Sequence, residues 1–399
     1  MGTWMQKTAV VWVVYTMTHS AFMLGVTVFA TQFPSFLFSL VGGVVADRYD
    51  RYKVLLFTQI ASMIQAVLLA ALVLSGHYYV WEILALGTVL GTINAFDVPA
   101  RQPLVHELVN DKEDLPNALA FNSSMVNLAK LAGPALSGIV LQRYGAGICF
   151  LLNALSFIAV LSSLLLMRLR PYQPQLSKNR ILEEMTESFS YIKNTPILRV
   201  VLLMFCFVSL FVLPYDTLLP VFAKIIFKGD AATFGYIRSF IGLGAVAGAL
   251  VLASLKPGTN LKVLVLAGTV LLAFGLILFS QTTYFPLAMF FAVIFGFGNM
   301  AHNTVCLTIV QIHADPRMRG RVISYVAMVL FGMSPIGALI VGALSQKIGA
   351  QHTILLQGII GVVIALIFSR FLLIEKMNAA DKTSMQQVEN EEQELVAKT

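Results

Sequence analysis

Away from the ends of the apolar runs stand four charged side chains: Lys7, Lys130, Asp216 and Arg238. Holding a charge in hydrocarbon is costly, so such groups are candidates for function and are expected to face a bundle interior or a wet cavity. Three cations against one carboxylate favour an anionic or strongly hydrogen-bonding solute. Asp216 is the group best suited to take up and release a proton as its surroundings change. It falls at the same depth as Arg238 on the next run, which predicts an ion pair. His302 is a second proton candidate, with a satisfied core histidine as the competing reading. Gln32, Asn122, Asn127, Asn299 and Asn303 add hydrogen-bonding capacity for a solute, although any one of them serves equally well as a bond between helices.

Other residues have the spacing of conformational parts. The string GGVVADRYDRYK sets Gly43, Asp47, Arg48 and Arg51 in a hairpin between two apolar runs. Gly43 would allow close helix approach, and Asp47 would cap a helix end or pair with a base from another span. Asp97 and Arg101, four apart around Pro99, form a structural or gating pair. The run NALAFNSSMVNLAKLAGPALSG spaces Ala120, Ala129, Gly133, Pro134, Ser137 and Gly138 along one helix. Small residues permit tight packing, and an internal proline frees a carbonyl and bends the helix.

Holding these residues in place requires a membrane. Of 399 residues, 58% are apolar and only 12% charged, too few charges to cover a soluble fold. Eleven apolar runs of spanning length occur, at 22–46, 54–75, 79–96, 117–141, 148–167, 197–222, 232–255, 263–279, 284–310, 322–344 and 353–374. A shorter one, residues 2–15, reads as part of a twelfth span, and no signal peptide precedes it. Twenty of the 27 lysines and arginines fall on one side of the resulting topology, which places both termini in the cytoplasm of a cell inner membrane. That placement also accounts for the net charge of +7 without a nucleic-acid partner. Cys149, Cys206 and Cys306 stand singly in apolar runs, so neither a disulfide framework nor a metal site is expected. There is no GxxxxGK[ST] phosphate loop, no hydrolytic motif and no sign of a cofactor, so the chain reads as no enzyme.

Residues 1–167 form a first half of six spans and 197–374 a second, joined by a linker at 168–196 and followed by a polar tail at 375–399. Within the linker Leu182, Met185, Phe189 and Ile192 recur at helical spacing, which predicts an amphipathic helix on the cytoplasmic surface. Gly91, Asn94 and Gly43 recur as Gly296, Asn299 and Gly248, and Gly133, Gly138 and Gly145 recur as Gly337, Gly342 and Gly349. A parallel repeat of this kind belongs to secondary transporters whose site lies between the halves near the midplane.

The hairpin, with its glycine, acidic-basic pair and further arginine, resembles the loop signature of the major facilitator superfamily. The run around Pro134 resembles that superfamily's antiporter motif, which implies export. The strings NAFDVPARQPLVHELV, DLPNALAFNSSMVNLAKLAGPALSG and GTWMQKTAVVWVVYTMTHSAFMLG are similar to the branch that contains the enterobactin exporter, over essentially the whole chain. Relatives in that branch begin earlier and supply the first half of span 1. The resemblance implies an all-α fold of twelve spans in two six-helix halves. It further implies proton-coupled, monomeric alternating-access export of a siderophore or similar anionic small molecule. A multidrug exporter, or an importer of a metal chelate or lipid-like solute, would share the same fold.

Overall fold

Within a bilayer every backbone N–H and C=O must be paired inside its own segment, which leaves the helix as the solution for long apolar runs. A computed structural model describes residues 1–108, 114–167, 181–256, 258–316 and 318–372. The first part of the linker, the tail at 375–399 and the side chains of Asp47, Asn127, Leu182 and Met185 lie outside the described residues. In chain order the spans are 1 (Gly2–Thr18), 2 (Ala21–Arg48), 3 (Arg51–Leu74), 4 (Val80–Leu108), 5 (Leu115–Tyr144) and 6 (Ala146–Leu166). The second half follows as 7 (Pro196–Ile226), 8 (Ala231–Ala253), 9 (Leu261–Gln281), 10 (Phe285–His313), 11 (Arg319–Ile348) and 12 (Ala350–Leu372). Eleven of them are long and apolar enough to cross a membrane; the exception is the 17-residue span 1.

Local chemistry sets several of the ends. Ser20, Asp50, Asp230 and Asn260 cap spans 2, 3, 8 and 9 by accepting backbone N–H bonds. The cap of span 3 is thus Asp50, three residues past Asp47. Gly145 and Gly349 take φ of 81° and 84° at equivalent corners, where spans 5 and 11 stop and the next span begins at once. Span 7 departs from the uninterrupted helix expected of an apolar run. After Phe211 it tightens into a 3₁₀ stretch, Leu213–Leu218, then makes a single α turn and a π turn. Pro214 and Pro220 have no N–H to donate, so the ordinary ladder fails there.

The packing follows a two-fold pattern. Spans 2 and 4, 3 and 4, and 1 and 5 pair in the first half, as do 8 and 10, 9 and 10, and 7 and 11 in the second. The halves meet along spans 5 and 8 and along spans 2 and 11, which are one contact exchanged by the pseudo-two-fold. Glycines make both seams possible. A β-carbon on Gly138 would lie 2.7 Å from the Ala231 carbonyl oxygen, and one on Gly342 would lie 2.7 Å from that of Ala21. Gly43 behaves otherwise than expected: a β-carbon there would touch nothing, and Gly42, one residue earlier, is the position pressed onto the Ala95 carbonyl of span 4.

The linker helix, Ile181–Asn194, rests on the second half. Glu187 accepts from Arg321 at 2.7 Å, and the Tyr191 hydroxyl accepts from the Asp315 N–H at 3.0 Å. Of its described apolar positions, Ile192 is 8% exposed and Phe189 60%.

Candidate transport site

The break in span 7 presents Asp216 to span 8. Arg238 Nη2 donates to Asp216 Oδ2 at 2.8 Å, and Arg238 Nη1 donates to Thr8 Oγ1 of span 1 at 3.3 Å. The guanidinium also lies over the Phe234 ring, 5.7 Å from its centroid. The pair therefore joins spans 7 and 8 of the second half to span 1 of the first. Its two side chains differ in exposure, 15% for Arg238 and 48% for Asp216, so the carboxylate remains open to water or to a solute while the arginine is held.

Thr8 leads on to Trp4, whose carbonyl accepts the Thr8 hydroxyl at 3.0 Å. Two ammoniums lie on the Trp4 indole: Lys7 Nζ at 5.0 Å from the ring centroid and Lys130 Nζ at 5.8 Å. A cation over an aromatic face gains from the ring quadrupole, but neither lysine has a carboxylate within ion-pair distance among the described residues. Span 5 carries this arrangement on its small face. A β-carbon on Gly133 would lie 2.8 Å from Trp4 Cβ, and Ser137 Oγ donates to the Met5 carbonyl at 3.1 Å. Gly138 meets Gly235 of span 8 on the other side. One short-residue stripe therefore holds span 1 and span 8 together, with Lys130 at its edge.

The polar candidates divide by environment. Asn299 Nδ2 donates to the Tyr215 hydroxyl at 3.3 Å, and Asn303 Nδ2 donates to Asn299 Oδ1 at 2.6 Å, so this amide pair adjoins Asp216 through its chain neighbour. Gln32 and Asn122 are exposed and away from the charged group. His302 does not join it: the ring is 0% exposed, bonded to Thr269 Oγ1 at 2.8 Å and stacked on Phe205 at 5.8 Å. The satisfied core histidine is the reading that fits this site, because no face of the imidazole reaches the space between the halves. Asp97 pairs with Arg101, and its other oxygen accepts from Gln59 at 2.6 Å and Thr58 at 3.0 Å, tying span 4 to span 3. Arg51 Nε donates to the Ala46 carbonyl at 3.3 Å, closing the hairpin on itself, and Arg48 is exposed.

Three features had no counterpart in the residue-by-residue reading. A buried amide chain, Asn153 to Gln6 at 2.6 Å and Gln6 to Gln65 at 3.0 Å, ends on the Leu86 carbonyl at 3.1 Å and ties spans 6, 1, 3 and 4. Trp4 is the second. The third is a pair of latches between the halves: Gln142 of span 5 donates to Asp230 at the head of span 8, and Ser20 at the head of span 2 donates to Gln346 of span 11 at 3.0 Å. Gln142 and Gln346 stand at the same repeat offset as Gly138 and Gly342, a signal present in the sequence. Both latches lie on the face opposite the basic loops, and Gln346 of the second lines a cavity of about 300 Å³ between His19 and His352. The halves touch from the latched end as far as Leu131 and Gly242 on one seam and Phe36 and Gly332 on the other. Beyond Leu131 every described side chain of span 5 from Phe121 to Leu128 is exposed.

A family model described as a transmembrane secretion effector, a branch of the major facilitator superfamily, matches residues 1–399. The chain belongs to this family. Among its relatives, a staphyloferrin A transporter of Staphylococcus aureus is 27% identical over 373 residues, covering 92% of each chain. An enterobactin exporter EntS of Citrobacter koseri is 28% identical over 308 residues, covering 77% of this chain and 73% of the other. Among solved structures, a bacterial homologue of the lysosomal transporter Spinster, inward-facing and unoccupied, superposes with TM-score 0.73 at 15% identity. It covers 93% of this chain and 95% of that one. A D-xylose-proton symporter gives 0.72 at 14% identity, with the same coverage. These structural likenesses establish the fold. This member of the superfamily is a multi-pass membrane transporter and not an enzyme.

Proposed function

We propose that the chain exports a siderophore or a similar anionic small molecule across the cytoplasmic membrane, driven by protons and working by alternating access. The observation that carries this reading is the charged group at the junction of the halves: three cations and one half-exposed carboxylate on spans 1, 5, 7 and 8. The names of relatives, a staphyloferrin A transporter and enterobactin exporters, point to the same class of cargo. With the basic loops in the cytoplasm, the latched end is the outer one and the free end of span 5 faces the cell interior. That is the state in which an exporter, acting as a single chain, loads. Lys7, Lys130 and Arg238 then attract the cargo, with Asn299 and Asn303 as neighbouring hydrogen-bonding groups. Gln32, Asn122 and Asn127 are proposed to contact it farther along the path.

Coupling follows from competition. The proton must travel opposite to the cargo: once the cargo has left outside, Asp216 takes a proton there, and it gives that proton up to the cytoplasm as the pair with Arg238 re-forms before the next load. Gly43, Asp47, Arg48, Arg51, Asp97, Arg101, Gly133, Pro134 and Gly138 are the proposed conformational residues. The test compares chelators inside and outside cells with and without the gene under iron limitation. Accumulation inside the deletion strain is expected, and equal distribution in both strains refutes the export reading. Transport into vesicles should stop when the proton gradient is dissipated, and should lose its dependence on that gradient in the Asp216→Asn variant.

A further inference from the structure

We infer that Lys7, Lys130 and Trp4 form a clamp for a polycarboxylate, a cargo bearing at least two ionised carboxyl groups close together. The inference rests on the transport reading above and narrows its substrate class. Both lysines belong to the first half, on spans 1 and 5, whereas Arg238 and Asp216 belong to the second. Asp216 pairs with Arg238 at 2.8 Å, so the charge of the second half is balanced and that of the first is not. The unloaded clamp therefore presents two ammoniums on one indole, no farther apart than the sum of their distances to its centre.

Trp4 is fixed in this role. Gly133 admits its Cβ, and the Thr8 hydroxyl bonds its carbonyl. The ring gives each ammonium a weak partner on one side, and both side chains are exposed, so their remaining N–H donors are open to a solute. Two like charges held close gain most from one ligand that neutralises both. Carboxyl groups, with pKa values of roughly 4, carry that charge at neutral pH, whereas phenolic hydroxyls near about 10 remain protonated. A metal-free catechol offers the clamp hydrogen bonds but no charge. A metal-free polycarboxylate offers both.

The measurement is equilibrium binding to the purified full chain in detergent, by calorimetry and tryptophan fluorescence, with citrate as the polycarboxylate probe and 2,3-dihydroxybenzamide as the uncharged catechol. Citrate should bind saturably, more weakly at higher salt, and the catechol should not displace it. Lys7→Gln and Lys130→Gln should each weaken citrate binding about tenfold or more, the value of one charge-assisted contact. Lys7→Arg and Lys130→Arg, which keep the charge, should restore most of the affinity and show that the glutamine variants lose binding through charge and not through folding. The clamp is overturned by absent citrate binding, by binding indifferent to both glutamine variants, or by a catechol that competes equally. Binding needs neither a gradient nor a direction. Citrate binding that depends on the lysines in a chain showing no gradient-driven export sinks the transport reading and leaves the clamp; gradient-driven export without such binding does the reverse.

Discussion

The latched end allows a quantitative prediction. Gln142 donates to the Asp230 carboxylate, and Gln346 accepts from Ser20 at 3.0 Å. Asp230 and Ser20 also cap spans 8 and 2, so replacing them would disturb helix ends as well as the seam. Gln142 caps no helix, whereas Gln346 also accepts the first-turn Phe22 N–H of span 2 at 3.4 Å; Gln142→Ala with Gln346→Ala removes these inter-half bonds and leaves the N-cap residues in place. A hydrogen bond to a charged group contributes about 1.5–3 kcal/mol and a neutral one about 0.5–1.5. Gln142 is exposed, so the lower values apply and the pair contributes roughly 2 kcal/mol, nearly additive because the sites are separate. At 1.4 kcal/mol per decade, the open fraction of this end should rise about 30-fold in the double variant and several-fold in each single one. The assay is labelling by a membrane-impermeant maleimide of a cysteine at Ala21, which is 8% exposed, in a chain whose Cys149, Cys206 and Cys306 are replaced by alanine. Under fast opening and closing, the labelling rate reports the open fraction. An unchanged rate in the double variant would falsify the claim that these bonds hold the end shut. Faster labelling at Ala21 from Gln142→Ala alone would show that the seams on either side of the bundle open as one rigid body.

Other perturbations act through different terms. Gly138→Ala places a methyl 2.7 Å from the Ala231 oxygen; overpacking of this kind costs about 1–3 kcal/mol, so labelling at Ala21 should rise and transport fall. Asp216→Asn leaves the Arg238 guanidinium, 15% exposed, without its carboxylate; proton-driven transport should fall at least tenfold, and an unaltered rate removes Asp216 from the coupling step. Gln6→Leu breaks the buried Asn153–Gln6–Gln65 chain and strands two polar groups. The expected loss is about 1–2 kcal/mol, read as a lower Tm for the purified chain, and an unchanged Tm would show that these amides find other partners. Asp97→Ala leaves Gln59 and Thr58 without their shared acceptor; it should destabilise the basic end of spans 3 and 4 and reduce transport more than Arg101→Ala does.

The sequence by itself determined the elements and their chemistry. Run length and low charge specify the spans, because hydrocarbon tolerates neither unpaired backbone nor stray charge. The uneven distribution of lysine and arginine sets the expected orientation, and the repeat offset relates one half to the other. The Asp216–Arg238 pair was also legible, since equal depth on adjacent antiparallel helices is nearly a local relation. Pro214 and Pro220 carried the signal for the break in span 7, which apolar run length alone conceals.

Tertiary structure decided which side chains from distant spans meet. Trp4 looks like one more apolar residue until spans 1 and 5 pack and place Lys7 and Lys130 on its ring. His302 looks ionisable until spans 7, 9 and 10 close around it. Gly42, and not Gly43, faces span 4, because a rotation of one residue about a helix turns a side chain by about 100°. Gln142 and Asp230 are 88 residues apart and belong to different halves. Their meeting depends on the angle at which two six-helix bodies lean together, and no local periodicity encodes that angle.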